Sequence, residues 1–389
     1  MVGTQEALER FEALPWPART DEEWRRTDPA LLEMDRLNLQ PEALGFRVGW
    51  ETPSPELIRS GVVLTHLSTA LQQLPEQAER YLFRSGAPSG LAKFVALHQA
   101  RAREGLFCYV PDRVKVEMPV RSWIESTAQG TAFFPHVLVA LGEEAELTLV
   151  DERRPAPGES AAALADEQVE IFLGSGSSLQ YVHLQRWGPQ TAELMVQRAV
   201  LERDAQLLNI TVGLGGRLTK GSVEASLAGP GARSELLGVF FGSGRQHFDL
   251  HTLQEHRAQS TASDLLYKSA LADEARAIYT GLIRITRQGQ KSDAYQANRN
   301  LLLSQGAKAD SVPMLEIEAD DVRCTHGVAV GPIEEEQAFY LMSRGLSQRE
   351  AERLIVHGFF EQVFRRIPLE RLREELAEEV DRRLESSRG

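Results

Sequence analysis

The sequence predicts a mainly β chain whose core is a β-solenoid, held between helical segments at its two ends. Three observations lead there. From about residue 105 to Ile317, strand-length apolar runs follow one another with Gly, Pro, Asp or Ser in most of the gaps. No blade motif recurs and no Asn-Gly or Asp-Gly turn joins two runs, which counts against propellers and hairpin-built sandwiches. On both sides of this stretch a three-to-four residue apolar spacing replaces the alternation. Solenoid strands pair with the next coil and need no tight two-residue turn, so irregular rungs suit them.

Residues 1–100 are expected to be mostly helical. Ala7, Leu8, Phe11 and Leu14 follow helical spacing until Pro15 and Pro17 stop it. A second helix is predicted around Glu56 to Arg80, with Leu57, Leu64, Leu67, Leu71 and Leu74 forming its stripe. Residues 101–331 form the expected solenoid core. Val169–Leu173, Leu179–His183, Glu193–Gln197 and Leu207–Val212 are each of strand length, and Gly213-Leu214-Gly215-Gly216 reads as a corner between strands. Residues 332–389 return to helix. Gly345 suits a left-handed C-cap after Phe339, Tyr340 and Met342. Ser347 with Glu350 makes a capping box for a helix carrying Ala351, Leu354, Ile355, Phe359 and Phe360. Pro368 opens a last helix striped with Leu369, Leu372, Leu376, Val380 and Leu384.

Composition narrows the function. The 389 residues are 42% hydrophobic and 25% charged, and 43 Lys+Arg stand against 56 Asp+Glu for a net charge of −13. Two or three structural units are expected for this length. The acidic balance argues against a nucleic-acid binder, which needs a basic face to displace counterions. Neither a signal-peptide core nor an apolar membrane span is visible, so the expected location is cytoplasmic. Gly216-Arg217-Leu218-Thr219-Lys220-Gly221-Ser222 has the Lys and Gly of a phosphate loop in reversed order and no helix-forming segment after it, so no nucleotide site is expected there.

Two clusters carry candidate chemistry. His247, Asp249 and His251 would share one face of an extended strand, and with His256 nearby they are metal-ligand candidates, structural hydrogen bonding being the commoner use of such spacing. In Asp320-Asp321-Val322-Arg323-Cys324-Thr325-His326-Gly327, Cys324 and His326 also share a strand face. A thiolate and an imidazole so placed can bind a metal, activate a nucleophile or merely pack. Cys108 is read as core. With only two cysteines, a four-thiolate site cannot be completed within one chain. Any cluster must borrow ligands.

Asn298-Arg299-Asn300-Leu301-Leu302-Leu303-Ser304, then Pro313 to Gly327 with its Arg323-Cys324-Thr325-His326-Gly327, then Phe339-Tyr340-Leu341-Met342-Ser343-Arg344-Gly345 resemble the SufB/SufD family of the SUF iron–sulfur cluster assembly system. Glu23-Trp24-Arg25-Arg26-Thr27-Asp28 is similar to that family's N-terminal signature, and His256 before Ser260 and Ser263 to the strand ahead of its central block. The resemblance is strong from about His247 to Gly358 and thin between residues 30 and 240. The Cys-Thr-His-Gly form is the SufD-like one, with Thr325 in place of the commoner serine, whereas SufB-like members are usually longer and carry a different stretch there.

The resemblance implies a right-handed parallel β-helix flanked by helical N- and C-terminal regions. It implies pairing with SufB through the β-helices, and docking of the C-terminal helices onto SufC, an ABC-type ATPase. A nascent iron–sulfur cluster or iron would sit transiently at the SufB interface with His326 and Cys324 as candidate ligands, the isolated chain holding no cofactor tightly. Phe339, Tyr340, Leu341, Arg344, Gly345 and Phe359, with Phe360 beside them, are the SufC-docking candidates, packing among the helices being the plainer role for the last two. The chain is then expected to be no enzyme itself, and to form a homodimer when isolated. The alternatives are a SufB-like paralogue and, from another class, a β-helix carbohydrate-active enzyme with clustered Asp, Arg or Lys on one strand face.

Overall fold

The computed structural model describes residues 4–52, 54–86, 89–155, 157–158 and 161–387. Helices α1 (Thr4–Ala13), α2 (Pro55–Arg59), α3 (Leu67–Gln73), α4 (Pro75–Tyr81) and α5 (Ala92–Arg101) alternate with strands β1 (Phe46–Trp50) and β2 (Val63–His66) at the N-terminal end. The coils begin with β3 (Glu104–Val110), β4 (Val120–Ser126), β5 (Thr131–Phe133), β6 (Pro135–Leu141), β7 (Glu146–Arg154) and β8 (Ala163–Leu173). They continue with β9 (Ser178–Gln185), β10 (Thr191–Leu201), β11 (Gln206–Gly213), β12 (Leu218–Leu227), β13 (Arg233–Gly242) and β14 (His247–His256). The last are β15 (Ala262–Leu271), β16 (Arg276–Ile285), β17 (Asp293–Leu302), β18 (Lys308–Ile317) and β19 (Arg323–Pro332), before α6 (Glu335–Ser343), α7 (Gln348–Phe364) and α8 (Glu370–Ser386).

From β6 onward successive strands go to opposite sheets, whereas β2 and β3 share a sheet, as do β5 and β6, which both pair with β8. One sheet runs β1-β4-β7-β9-β11-β13-β15-β17-β19 and the other β18-β16-β14-β12-β10-β8-β6-β3-β2. All pairs among the coils are parallel, and only β1 on β4 and β2 on β3 are antiparallel. The result is the expected β-solenoid, of about eight turns. Leu218 lies beside His247 and His247 beside Arg276, a repeat of 29 residues. The connections are corners rather than hairpins, as the missing two-residue turns foretold. Gly216, at φ +73° between β11 and β12, adopts a left-handed conformation that a side chain would disfavour.

The predicted helix from Glu56 to Arg80 is instead broken into α2, β2, α3 and α4. Gly61, at φ +85°, ends α2. The run Val62-Val63-Leu64-Thr65 then favours extended backbone, and β2 pairs with β3, placing Val63 beside Tyr109. Pro75 has no N–H to bond backward, so it opens α4 rather than extending α3.

Alternation along the strands divides the apolar residues between lumen and outer faces. Leu147, Leu149, Ala165, Val169, Leu179, Met195, Val223 and Phe248 pack in the lumen, where Cys108 is also buried. Its thiol is pushed up to about 12, by burial and then by Asp151. The outer face of the first sheet, through Val182, Val212, Val239 and Leu266, is covered by α7 and α8 through Val356, Phe360, Val363, Leu372 and Leu376. The outer face of the second is covered by the N-terminal region, with Trp24, Phe94 and Leu97 against Leu164, Leu194 and Leu218. The capping box of Ser347 and Glu350 is formed, and Gly345 turns the chain between α6 and α7 at φ +96°.

Candidate functional site

The last coil differs from every other. β19 hydrogen-bonds only to β17 and β18 only to β16, and seven of the ten residues of β19 are exposed. The register sets Cys324 beside Ala294, His326 beside Gln296, Val328 beside Asn298 and Val330 beside Asn300. Those four β17 residues are buried, so Cys324, His326, Val328 and Val330 form the corresponding inward row on the terminal strand. With no further coil stacked on them, Val328 is 44% and Val330 42% exposed, as are Met314 (39%) and Ile317 (42%) on β18. An unpaired pair of strand edges with an apolar row is a template for another chain.

Cys324 and His326 are thus brought to one face, as their spacing predicts. Cys324 is half-buried beside Ile283, Ile285, Ala294 and Ala319, and burial raises its thiol pKa. A metal held there would have to displace its proton. His326 is exposed on the edge. One sulfur and one imidazole supply half of a four-coordinate set.

The three histidines separate. His247 and His251 lie on the outer face of β14 and converge on Asp249: His251 Nε2 is 3.2 Å from Asp249 Oδ1, and the Thr27 hydroxyl bonds His247 Nε2 at 2.9 Å and donates to Asp249 Oδ2 at 2.5 Å. Asp249 already holds a counter-ion, Lys220 Nζ at 2.6 Å. Its carboxyl is raised by burial but brought well below the carboxylate range by His251 and Lys220. His256 faces the opposite way and bonds Thr261 and Ser263 at 2.7 and 2.8 Å. It does not join the other two.

The C-terminal candidates divide in the same manner. Phe339 (72% exposed), Tyr340 (57%) and Met342 (42%) project from α6, and Arg344 stacks over the Tyr340 ring, its Cζ 5.2 Å from the centroid. Leu341 is half-buried and Gly345 exposed. Phe360 is fully buried under α7. Half-buried Phe359 receives Lys268 Nζ on its carbonyl at 2.6 Å and on its ring.

The sequence reading assigned no contact to the N-terminal signature. Trp24 is buried, donates Nε1 to the Gly90 carbonyl at 3.0 Å and lies under Lys220 Nζ at 4.8 Å, while Thr27 reaches β14. The signature therefore clamps the N-terminal region onto β12 and β14. Lys220, a charge at an outer position of a strand otherwise packed against Trp24, was the available signal.

Two family models match the chain: "SUF system FeS cluster assembly, SufBD core domain" over residues 124–359 and "SufBD protein N-terminal region" over 50–122. The chain is 32% identical over 279 residues to an iron–sulfur cluster assembly SufBD family protein of Mycobacterium leprae, covering 70% of each chain. It is 29% identical over 334 residues to the iron–sulfur cluster assembly protein SufD of Bacillus subtilis, covering 85% of this chain and 76% of that one. A SufBD family protein of Staphylococcus epidermidis is 29% identical over 315 residues, or 81% of this chain and 67% of the relative.

Proposed function

Since the chain belongs to the SufBD family of SUF-system iron–sulfur cluster assembly proteins, we propose that it is the SufD-like half of a two-solenoid cytoplasmic scaffold, its terminal coil completed by a SufB-like partner. The observation that carries this reading is the bare last coil, where an inward-facing thiol and imidazole stand together on one of two unpaired edges. A soft thiolate with a weaker nitrogen ligand suits a cluster that must be released, and half a ligand set calls for the rest from a facing chain. The exposed Phe339, Tyr340 and Met342 of α6, with Arg344, form the docking face for a SufC-like ATPase. ATP hydrolysis belongs to that partner, and the chain acts without catalysis of its own. When no SufB-like chain is present, the same edges pair with a second copy.

The test is anaerobic co-expression with SufB- and SufC-like chains, with native mass, iron and sulfide read on one sample. One copy of each solenoid with two of the ATPase, carrying both elements, is expected. His326→Ala should leave the assembly intact and lower its iron and sulfide. A complex that retains full iron removes His326 as a ligand, and a chain that never co-assembles removes the scaffold reading.

A further inference from the structure

The lumen holds a second group of donor atoms, remote from the terminal strands. Glu167 on β8 and Glu193 on β10 point inward from one sheet, and His183 on β9 points inward from the other. One ligand atom from each lies within 4.8 Å of the others, and all three side chains are fully buried. Neither ring nitrogen of His183 has a hydrogen-bond partner. Its Nε2 stands 3.6 Å from Glu167 Oε1, too far for a hydrogen bond and suited to two atoms that share a third between them. Buried imidazoles are ordinarily bonded through at least one nitrogen.

Charge points the same way. The buried carboxylates here are Asp151, Glu167 and Glu193, and the cation facing them is Arg153, whose guanidinium bridges Asp151 and Glu167. One positive charge against three carboxylates leaves an excess of two negative charges in a site sealed from water, which proteins relieve with protons or with a metal. The surroundings hold the oxygens in place: Trp187 Nε1 donates to Glu193 Oε1 at 2.7 Å, and Gln185 and Thr219 donate to Oε2 at 3.2 and 3.1 Å. Such outer bonds orient metal-binding carboxylates.

We propose that Glu167, His183 and Glu193 bind one first-row divalent transition cation in the lumen, clamping the two sheets together across it. Two carboxylates and one imidazole favour Fe2+, Mn2+ or Zn2+ over Ca2+ or Mg2+, which take oxygen ligands. Because the site has no solvent contact, the ion enters as the coils close and exchanges slowly afterward. The site is independent of Cys324, His326 and any partner.

The full chain is expressed with Fe2+ (anaerobically), Mn2+ or Zn2+ supplied singly, washed with EDTA, and assayed for metal by mass spectrometry while folded and after unfolding in urea. About one equivalent per chain is expected, resistant to EDTA until the chain unfolds. Glu193→Gln, which keeps the side chain's shape, and His183→Asn should each lower it at least tenfold with the circular dichroism spectrum unchanged. The double variant Cys324→Ser/His326→Ala should retain it. Less than about a tenth of an equivalent with all three ions overturns the proposal, as does metal that persists in both lumen variants, which marks an adventitious ion only. If both lumen variants fail to fold, the unmodified chain refolded with Co2+ decides: d–d absorption of nitrogen–oxygen coordination supports the site, and its absence refutes it.

Discussion

Replacing Asp249 by alanine isolates the clamp between the N-terminal region and the coils. Lys220 and Asp249 are lateral neighbours on β12 and β14, with side chains 2% and 1% exposed. Asp249→Ala leaves the ammonium enclosed with the Glu23 carbonyl at 2.7 Å and the Trp24 ring, and removing one partner of a buried pair costs about 3–5 kcal/mol. The double variant Lys220→Met/Asp249→Leu removes both charges and should stand within about 1 kcal/mol of the unmodified chain, since apolar replacement of a buried pair is close to neutral. Closed with Lys220→Met and Asp249→Leu as its single variants, the cycle should give a coupling of at least about 2 kcal/mol, the loss from breaking the pair less the cost of removing it whole. Urea unfolding followed by far-ultraviolet circular dichroism and by tryptophan fluorescence measures it, Trp24 lying at the clamp. The folded carboxyl of Asp249 is depressed, so its contribution is complete above the unfolded value near 3.9 and is lost only as pH falls further. The Asp249→Ala penalty should therefore persist from pH 8 down to pH 5. Additive single variants, or a penalty under about 1 kcal/mol, would refute the reasoning.

Two further outcomes are expected. Burial lowers the His256 pKa to about 4, so as pH falls below the unfolded value near 6.5 the unfolded chain binds a proton that the folded one refuses. This group alone removes about 1.4 kcal/mol of stability per pH unit between roughly 6.5 and 4. His256→Gln should abolish that slope, seen as a wild-type advantage that shrinks toward pH 4, and a difference independent of pH would count against it. Phe360→Ala empties a fully buried site between α7 and the sheet and should cost about 3–5 kcal/mol, with hydrogen-exchange protection lost in α7 and α8 while the coils keep theirs. Unchanged protection in both helices would place the C-terminal region's anchor elsewhere.

Much of the fold was legible because solenoid strands obey local rules. Alternation in β8 to β11, the Ser347–Glu350 box and the Leu372–Val380 stripe depend on neighbours in sequence, and all three are realised. The Glu56–Arg80 stretch was misread because its leucines satisfy helical spacing while Val62-Val63 and Pro75 carry the breaking signals, and β2 gains its place only by pairing with β3 across some forty residues of chain. At the terminal coil, the shared face of Cys324 and His326 follows from period two alone. That their row stands open to solvent does not, because it depends on β19 being the last strand of its sheet. The lumen group was invisible for a related reason. Glu167 and His183 come from different sheets, and no spacing along the chain relates them. The available hint was a charge at an inward position, Glu167 between Ala165 and Val169.

Coverage by the terminal helices gives the bare coil its meaning. α7 packs on β13 and β15, and the N-terminal region packs on β8, β10 and β12, so the outer faces are buried over the middle of the solenoid by parts of the same chain. The terminal coil is treated differently. Val328 and Val330 belong to the inward row yet stay exposed, on strands of ten residues whose outer edges donate and accept no ladder bonds. Solenoids ordinarily close their ends with a polar or covering element, and the antiparallel β1 and β2 supply such an ending at the other extremity. The two extremities thus differ, and on the proposed reading the last coil, which carries Cys324 and His326, is the one that assembles. A second solenoid can extend this edge without competing with the helices that stabilise the first. On the proposed reading, stability rests on the covered middle of the ladder and partner binding on its last coil, so variants at β19 should change association while leaving unfolding of the isolated chain nearly untouched.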